Sequence, residues 1–515
     1  MSTHPVVADR ALDRALDRAV DPAPAAAPPA RRLAVVPPPA SPSSTVQSVS
    51  PGVPAQPAGP APSRARTAPA PGEEPLLPVV GGEEQVPLVT GGTARYANLD
   101  VAASAPALCW VADHVERVLP LYASVHRGAG YASQVSTAVL EGARDVVGGF
   151  VGARADDVVV WTRSTTDALA VLAGCVPDGG SVLVLDLEHH ANLLPWRTQG
   201  HRGVTSRVVE AAPTLEGTLA VLADALAAEP TALLAVTGAS NVTGEELPLR
   251  RVADLAHAAG ARLAVDAAQL APHRAVDVAR DGVDWVALSG HKLYAPFGAG
   301  ALVGRRDWLD DGTPYLAGGG AVAEVGVDDV RWAAAPARHE GGTPNVLGVA
   351  ALAAACDALQ ALAGGALEAH ERALRERLVD GLAGVPGVRV HRALEGAPSA
   401  IGVVTFTVDG VAPGLVAAVL SAEHGIGVRD GRFCAHPLLE RLGLREGAVR
   451  ASVGVGSRAE DVDRLVAALR ALVSDGPGWE YALVEGRWAP VDDPRPWPEW
   501  GDPTARAAAA RPCGG

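Results

Sequence analysis

Five short apolar runs, Val158–Trp161, Ser181–Leu185, Leu233–Val236, Ala261–Val265 and Asp284–Leu288, each stop at a cluster of polar residues. Runs of four or five residues bounded by turn formers read as buried strands rather than helices. Strands buried on both faces belong to a mostly parallel sheet, so the spacing predicts an α/β fold. The polar clusters are Thr162–Thr166, Glu188–Asn192, Ser240–Gly244, Asp266 with Gln269, and Ser289–Lys292. In open α/β sheets ligands bind outside the carboxyl ends of the strands. Five such ends therefore define one candidate site. After the first cluster the run DALAVLAG is helical, and hydroxyls and free amides at a helix start form an anion site.

Lys292 is the only lysine in the chain, against 42 arginines. Arginine replaces lysine as a surface cation, but its guanidinium stays protonated and cannot form an imine. Coding bias with a chance survivor would explain a lone lysine anywhere. A lone lysine at a strand end, beside four other polar strand ends, indicates an amine used as a nucleophile. Lys292 and Asp266 at two such ends suit pyridoxal phosphate. The lysine would hold the aldehyde, and the carboxylate would keep the pyridine nitrogen protonated. Gln269 is placed to reach the ring oxygen, and a histidine of the pair His189-His190 to stack on the ring. The pair lacks a third ligand at metal spacing, which argues against zinc.

The motifs EHHAN at 188–192, SNVTG at 240–244, VDAAQ at 265–269 and SGHKLYAPFGAG at 289–300 resemble those of class V, fold type I pyridoxal-phosphate enzymes. The likeness is to the group II cysteine desulfurases and selenocysteine lyases. SVHRGAGYAS at 124–133, HEGGTPN at 339–345, VRDGRFCAHP at 428–437 and VRASVGVGS at 449–457 extend it, from about Tyr96 to Val473. The resemblance implies a seven-stranded, mostly parallel large-domain sheet, a smaller α+β domain and a homodimer. It makes Lys292 the cofactor lysine and acid–base group. Asp266 and Gln269 would hold the ring, and His189 would stack on it. Thr165, Thr166, Ser289 and His291 would bind the phosphate, with Thr343 entering from the partner subunit. Arg450 would clamp the substrate carboxylate, a bidentate task suited to guanidinium. Asn241, Arg429 and His126 would help hold the substrate. The chain departs from the family pattern at Val101, Ser164 and Ala295, which bears on substrate geometry more than on cofactor binding.

Cys434 separates a desulfurase from its relatives. The chain has five cysteines, at 109, 175, 356, 434 and 513, none in a CxxC pair. Cys109, Cys175 and Cys356 lie in apolar contexts and read as small core residues. Cys434 lies in RDGRFCAHP, a loop by its Gly and Pro, with two arginines that favour a thiolate. L-cysteine would give alanine and a persulfide on Cys434, with a sulfur acceptor protein taking the sulfur onward. A selenocysteine lyase, or a transaminase- or epimerase-like enzyme with Cys434 incidental, is the alternative.

A net charge of −15 argues against nucleic acid as a main partner, and no apolar run is long enough to span a membrane. The expected setting is cytoplasmic. Four segments are expected: a disordered leader over 1–90, a cofactor-binding domain over 91–360, a small domain over 361–475, and a Trp/Pro-rich extension over 476–515. Seventeen prolines fall between Asp21 and Pro78, a composition too poor in large apolar residues to fold. Apolar islands at 8–21, 31–37 and 73–80 suggest docking. The leader resembles that of the desulfurase cargo of family 2 encapsulin nanocompartments, which implies a shell-protein partner and residence inside the shell. A chain acting mainly through its leader, as a shell component, is the non-catalytic alternative. The extension is expected to wrap the core surface or to contact a partner.

Overall fold

All five runs form strands in the computed structural model, which describes residues 70–126, 128–498 and 501. They are β1 (Val158–Thr162), β2 (Ser181–Leu185), β4 (Leu233–Thr237), β5 (Arg262–Asp266) and β6 (Trp285–Ser289), joined by β3 (Thr205–Val209) and β7 (Gly300–Gly304). The seven-stranded sheet runs β1-β7-β6-β5-β4-β2-β3. Only β7 is antiparallel to its neighbours, β1 and β6. The carboxyl ends of β1, β2, β4, β5 and β6 therefore share one edge. Two strands were not foreseen. β3 has half-exposed residues and three polar ones, and β7 reads GALVG, too glycine-rich to signal a strand.

Gly300 shows why β7 needs glycine. A Cβ there would lie 2.6 Å from the Leu288 carbonyl oxygen and 2.8 Å from Ser164 Cα. Its absence lets β7 pass close to the turn that leads into α1 (Thr165–Ala173). His190–Arg197 forms the next short helix, α2.

The small domain is a four-stranded antiparallel sheet of β8 (Val388–His391), β9 (Val403–Val408), β10 (Arg429–Gly431) and β11 (Ala448–Ser452), in the order β8-β9-β11-β10. Helices α3 (Ala366–Ala383), α4 (Pro413–His424) and α5 (Ala459–Asp475) pack on it through Leu374, Leu378, Val416, Leu420, Leu465 and Leu469. Both sheets lie within one compact unit.

The expected leader boundary at 90 is corrected to lie before Ala70. Residues 70–90 are part of the folded body. Leu76, Leu77 and Val79 pack against the core. The backbone N–H groups of Leu76 and Leu77 donate to the Val455 carbonyl at 2.7 and 3.1 Å, and Val89 donates to Ala422 at 2.8 Å. The third apolar island supplies enough buried surface to order its prolines; the islands at 8–21 and 31–37 lie outside the described residues. In the extension, Tyr481–Val484 pairs with Arg487–Pro490 in a hairpin. Tyr481 donates its hydroxyl to Glu423 on α4 at 2.9 Å, so this part wraps the small domain. Among the described residues no helix is long and apolar enough to cross a membrane.

Candidate active site

The converging strand ends enclose a cavity of about 310 Å³ lined by residues of both sheets. Lys292 follows β6 and is partly buried. Burial pushes its ammonium down to about 8, aided by Arg450 and opposed by Asp266 and Cys434. The amine is therefore poised to lose its proton near neutrality, as a nucleophilic lysine requires. Asp266 ends β5. Burial raises its carboxyl, while the Ala268 N–H, at 2.9 Å, and Lys292 oppose the shift. A protonated pyridine nitrogen would supply the counter-charge that this buried acid lacks.

Gln269 donates one amide N–H to the Ala102 carbonyl at 2.7 Å, and its Oε1 is buried without a partner. The second N–H remains for a ring oxygen. His189 caps α2, its Nδ1 accepting from Ala191 N–H at 3.0 Å. Burial, then Lys292, His190 and Arg450, push its imidazole down to about 3, so it is neutral at pH 7 and free of charge repulsion against a ring.

At the other end of the cavity Ser289 Oγ accepts from the Thr165 N–H at 2.8 Å and donates to Thr165 Oγ1 at 2.9 Å. The N-cap residue Ser164 makes no side-chain hydrogen bond to the first turn of α1. The helix's first amides, with Thr166 and His291 on the same wall, make a cradle for a phosphate. The remaining Gln269 N–H, the first-turn amides of α1 and the buried acid together fit pyridoxal phosphate.

The small sheet supplies the substrate side. Arg450 on β11 sits opposite Arg429 on β10 in register. Arg450 is buried and donates to the Asn241 carbonyl at 2.9 Å and to Asp100 at 3.0 Å. Its guanidinium carbon lies 5.3 Å from the Phe433 ring centre. Asn241 spends its side-chain amide on the Phe433 carbonyl at 2.8 Å, so it holds the Cys434 loop rather than pointing freely at substrate. His190 N–H donates to the Cys434 carbonyl at 2.9 Å. Phe433 and Cys434 are both in the left-handed region, with φ of 51° and 52°. Consecutive non-glycine residues there are strained, and two hydrogen bonds and the Arg450 contact on the Phe433 ring hold them. The result is an exposed thiol at the rim of the Lys292 cavity. By contrast Cys175 and Cys356 are buried and their thiols pushed up by burial, the first to about 12. Cys109 is half-buried, and Cys513 lies outside the described residues.

Two expected residues are not brought to this cavity. His126 is bound to Glu141 at 3.0 Å and lines a separate cavity of about 570 Å³ with Thr343. Thr343 was expected only from a partner subunit. His126 was expected to help hold the substrate; here its imidazole bonds Glu141 on the neighbouring helix. Two residues went unforeseen. Asp100, which braces Arg450, stands next to the noted Val101. Glu188 is wholly buried behind the site, its carboxyl pushed up to about 8 by burial and held by Asn192 at 2.7 Å. Both stand inside motifs that were read, but only the pairing across 350 residues gives Asp100 a task.

A mostly parallel seven-stranded sheet with a lysine, an acid and a phosphate cradle at its carboxyl edge defines a fold type I pyridoxal-phosphate enzyme. The chain belongs to the Aminotransferase class-V family, whose pattern matches residues 97–465. It is 38% identical to a cysteine desulfurase of Dickeya dadantii, over 72% of this chain and 91% of that protein. It is 37% identical to a probable cysteine desulfurase of Vibrio cholerae, over 68% and 87%. The crystal structure of the Escherichia coli cysteine desulfurase CsdA superposes with a TM-score of 0.65 at 34% identity, covering 73% of this chain and 94% of that one. A cysteine desulfurase of Thermococcus onnurineus gives 0.67 at 32%, over 73% and 94%.

Proposed function

We propose that this chain is a pyridoxal-phosphate cysteine desulfurase that converts L-cysteine to L-alanine and places the sulfur on Cys434. The observation that carries the reading is the shared cavity: the only lysine from one sheet and an exposed cysteine from the other line the same space. Asp266, Gln269, His189, Thr165, Thr166, Ser289 and His291 would hold the cofactor, which when bound supplies an electron sink for the substrate's α-carbon bonds. Arg450, steadied by Asp100, would hold the substrate carboxylate, with Arg429 beside it. Lys292 would move the α-proton. The Cys434 thiolate would attack the substrate sulfur as the carbon–sulfur bond breaks, and alanine would leave. In a Lys292→Arg variant we expect no visible cofactor absorbance from a lysine linkage, and alanine formation lowered by about 10²–10⁴-fold. Alanine at the wild-type rate would overturn the assignment.

The same reading includes a homodimer in which Thr343 of one copy completes the phosphate cradle of the other. It is supported by the remote position of Thr343 and by exposed Trp110, Leu119, Tyr122 and Tyr131. It also includes packaging inside an encapsulin shell through the leader, supported by the Ala/Pro-rich composition of 1–69. Removing 1–69 leaves Leu76 and Leu77 in place, so catalysis should persist while co-purification of a shell protein is lost. Retained co-purification would remove the leader from that role.

A further inference from the structure

A second cleft, of about 500 Å³, opens where α3 of the small domain meets the large domain. Arg372 and Arg375 reach it from α3, Arg392 from the end of β8, and Glu245, Glu246 and Arg274 from the large domain. It shares no lining residue with the Lys292 cavity. Its volume is that of a small-molecule site.

The charges in the cleft are unevenly satisfied. Arg274 is fully engaged, bound to Glu246 at 2.8 Å and to Glu371. Arg372, Arg375 and Arg392 make no ion pair with any described residue. Arg375 Nε is closed off from solvent without a hydrogen-bond partner, an unusual state for a guanidinium. Burial, then neighbouring Arg392, push the Arg375 guanidinium below its ordinary value, against the pull of Glu245 and Glu371. Of the nearby acids, Glu246 is occupied by Arg274. Glu245 is 3% exposed, and burial raises its carboxyl toward the neutral form. Glu368 and Glu376, a helical turn to either side of Arg372, are the carboxylates left. Three guanidinium groups facing two outlying carboxylates leave room for a ligand that brings several negative oxygens.

We propose that this cleft binds a small polyanion, a phosphorylated or polycarboxylate compound, through Arg372, Arg375 and Arg392. The ligand would bridge α3 and the large domain.

The test is a calorimetric titration of the cofactor-saturated protein at low ionic strength with pyrophosphate and, separately, citrate. Saturation keeps the phosphate cradle at α1 filled. We expect at least one of the two to bind, once per chain, with the cofactor's visible absorbance unchanged. Arg375→Gln and Arg392→Gln should each weaken binding about tenfold. Arg392 is exposed, so its variant serves should Arg375→Gln fail to fold. Binding by pyrophosphate alone assigns a phosphorylated ligand, and by citrate alone a polycarboxylate. Absence of binding by both, or binding that Arg392→Gln leaves intact, or a shifted cofactor absorbance, would overturn the proposal.

Discussion

At the scale of single residues, burial decides the chemistry. Lys292 and His189 are both bases whose charged forms are penalised by the same cavity, and each titrates below its ordinary range. For Lys292 the sign is direct. Below about 8 the amine is increasingly protonated and cannot attack an aldehyde, while above it the neutral form dominates. Capture of pyridoxal phosphate by the apoenzyme should accelerate about tenfold per pH unit up to about 8 and then level. Stopped-flow absorbance between pH 6 and 9.5 checks this, and a rise that continues undiminished up to pH 9.5 would mean an unshifted lysine. Lys292, Asp266 and Cys434 were legible because residue scarcity and loop composition single them out. Asp100 was not, because its role exists only once Arg450 arrives from 350 residues away.

At the scale of elements, strand boundaries were readable where a strand is apolar on both faces and ends in polar residues. β1, β2, β4, β5 and β6 satisfy this; β3 and β7 do not. β7 is a strand because sterics beside α1 demand its glycine, which a hydrophobicity pattern cannot register. Gly300→Ala would press a methyl group against the Leu288 carbonyl and Ser164. We expect about 1–3 kcal/mol lost in urea unfolding and faster cofactor dissociation, because Ser164 leads into the phosphate cradle. A variant with wild-type cofactor retention would mean that the cradle tolerates a shifted β7.

At the scale of the whole molecule, catalysis requires two sheets held in register, since Lys292 belongs to one and Cys434 and Arg450 to the other. Glu371 on α3 helps set that register. It is 1% exposed and binds His273 and Arg274 of the large domain. Burial alone would raise its carboxyl, but His273 and Arg274 outweigh burial and hold it low. A depressed carboxylate stabilises the fold above its unfolded value, near 4.3. That stability is lost as the pH falls through the lower folded value. Glu371→Gln would remove the carboxylate that Arg274 and His273 bind and should cost about 3–5 kcal/mol at pH 7, with the difference from wild type shrinking in acid. Equal unfolding midpoints at pH 7 would contradict a junction held by this carboxylate. The two-domain layout was visible in the alternation of helical and strand patterns after residue 361. The folding of 70–90 was not, because its apolar residues gain their partners only from distant segments, at Val455, Ala107 and Ala422.

The most direct measurement is to supply the purified protein with L-cysteine and quantify alanine and sulfide, alongside Cys434→Ala. Alanine and sulfide from the wild type, with loss of both in the variant, is the expected result. Equal cysteine desulfuration by the two proteins would contradict sulfur transfer through Cys434.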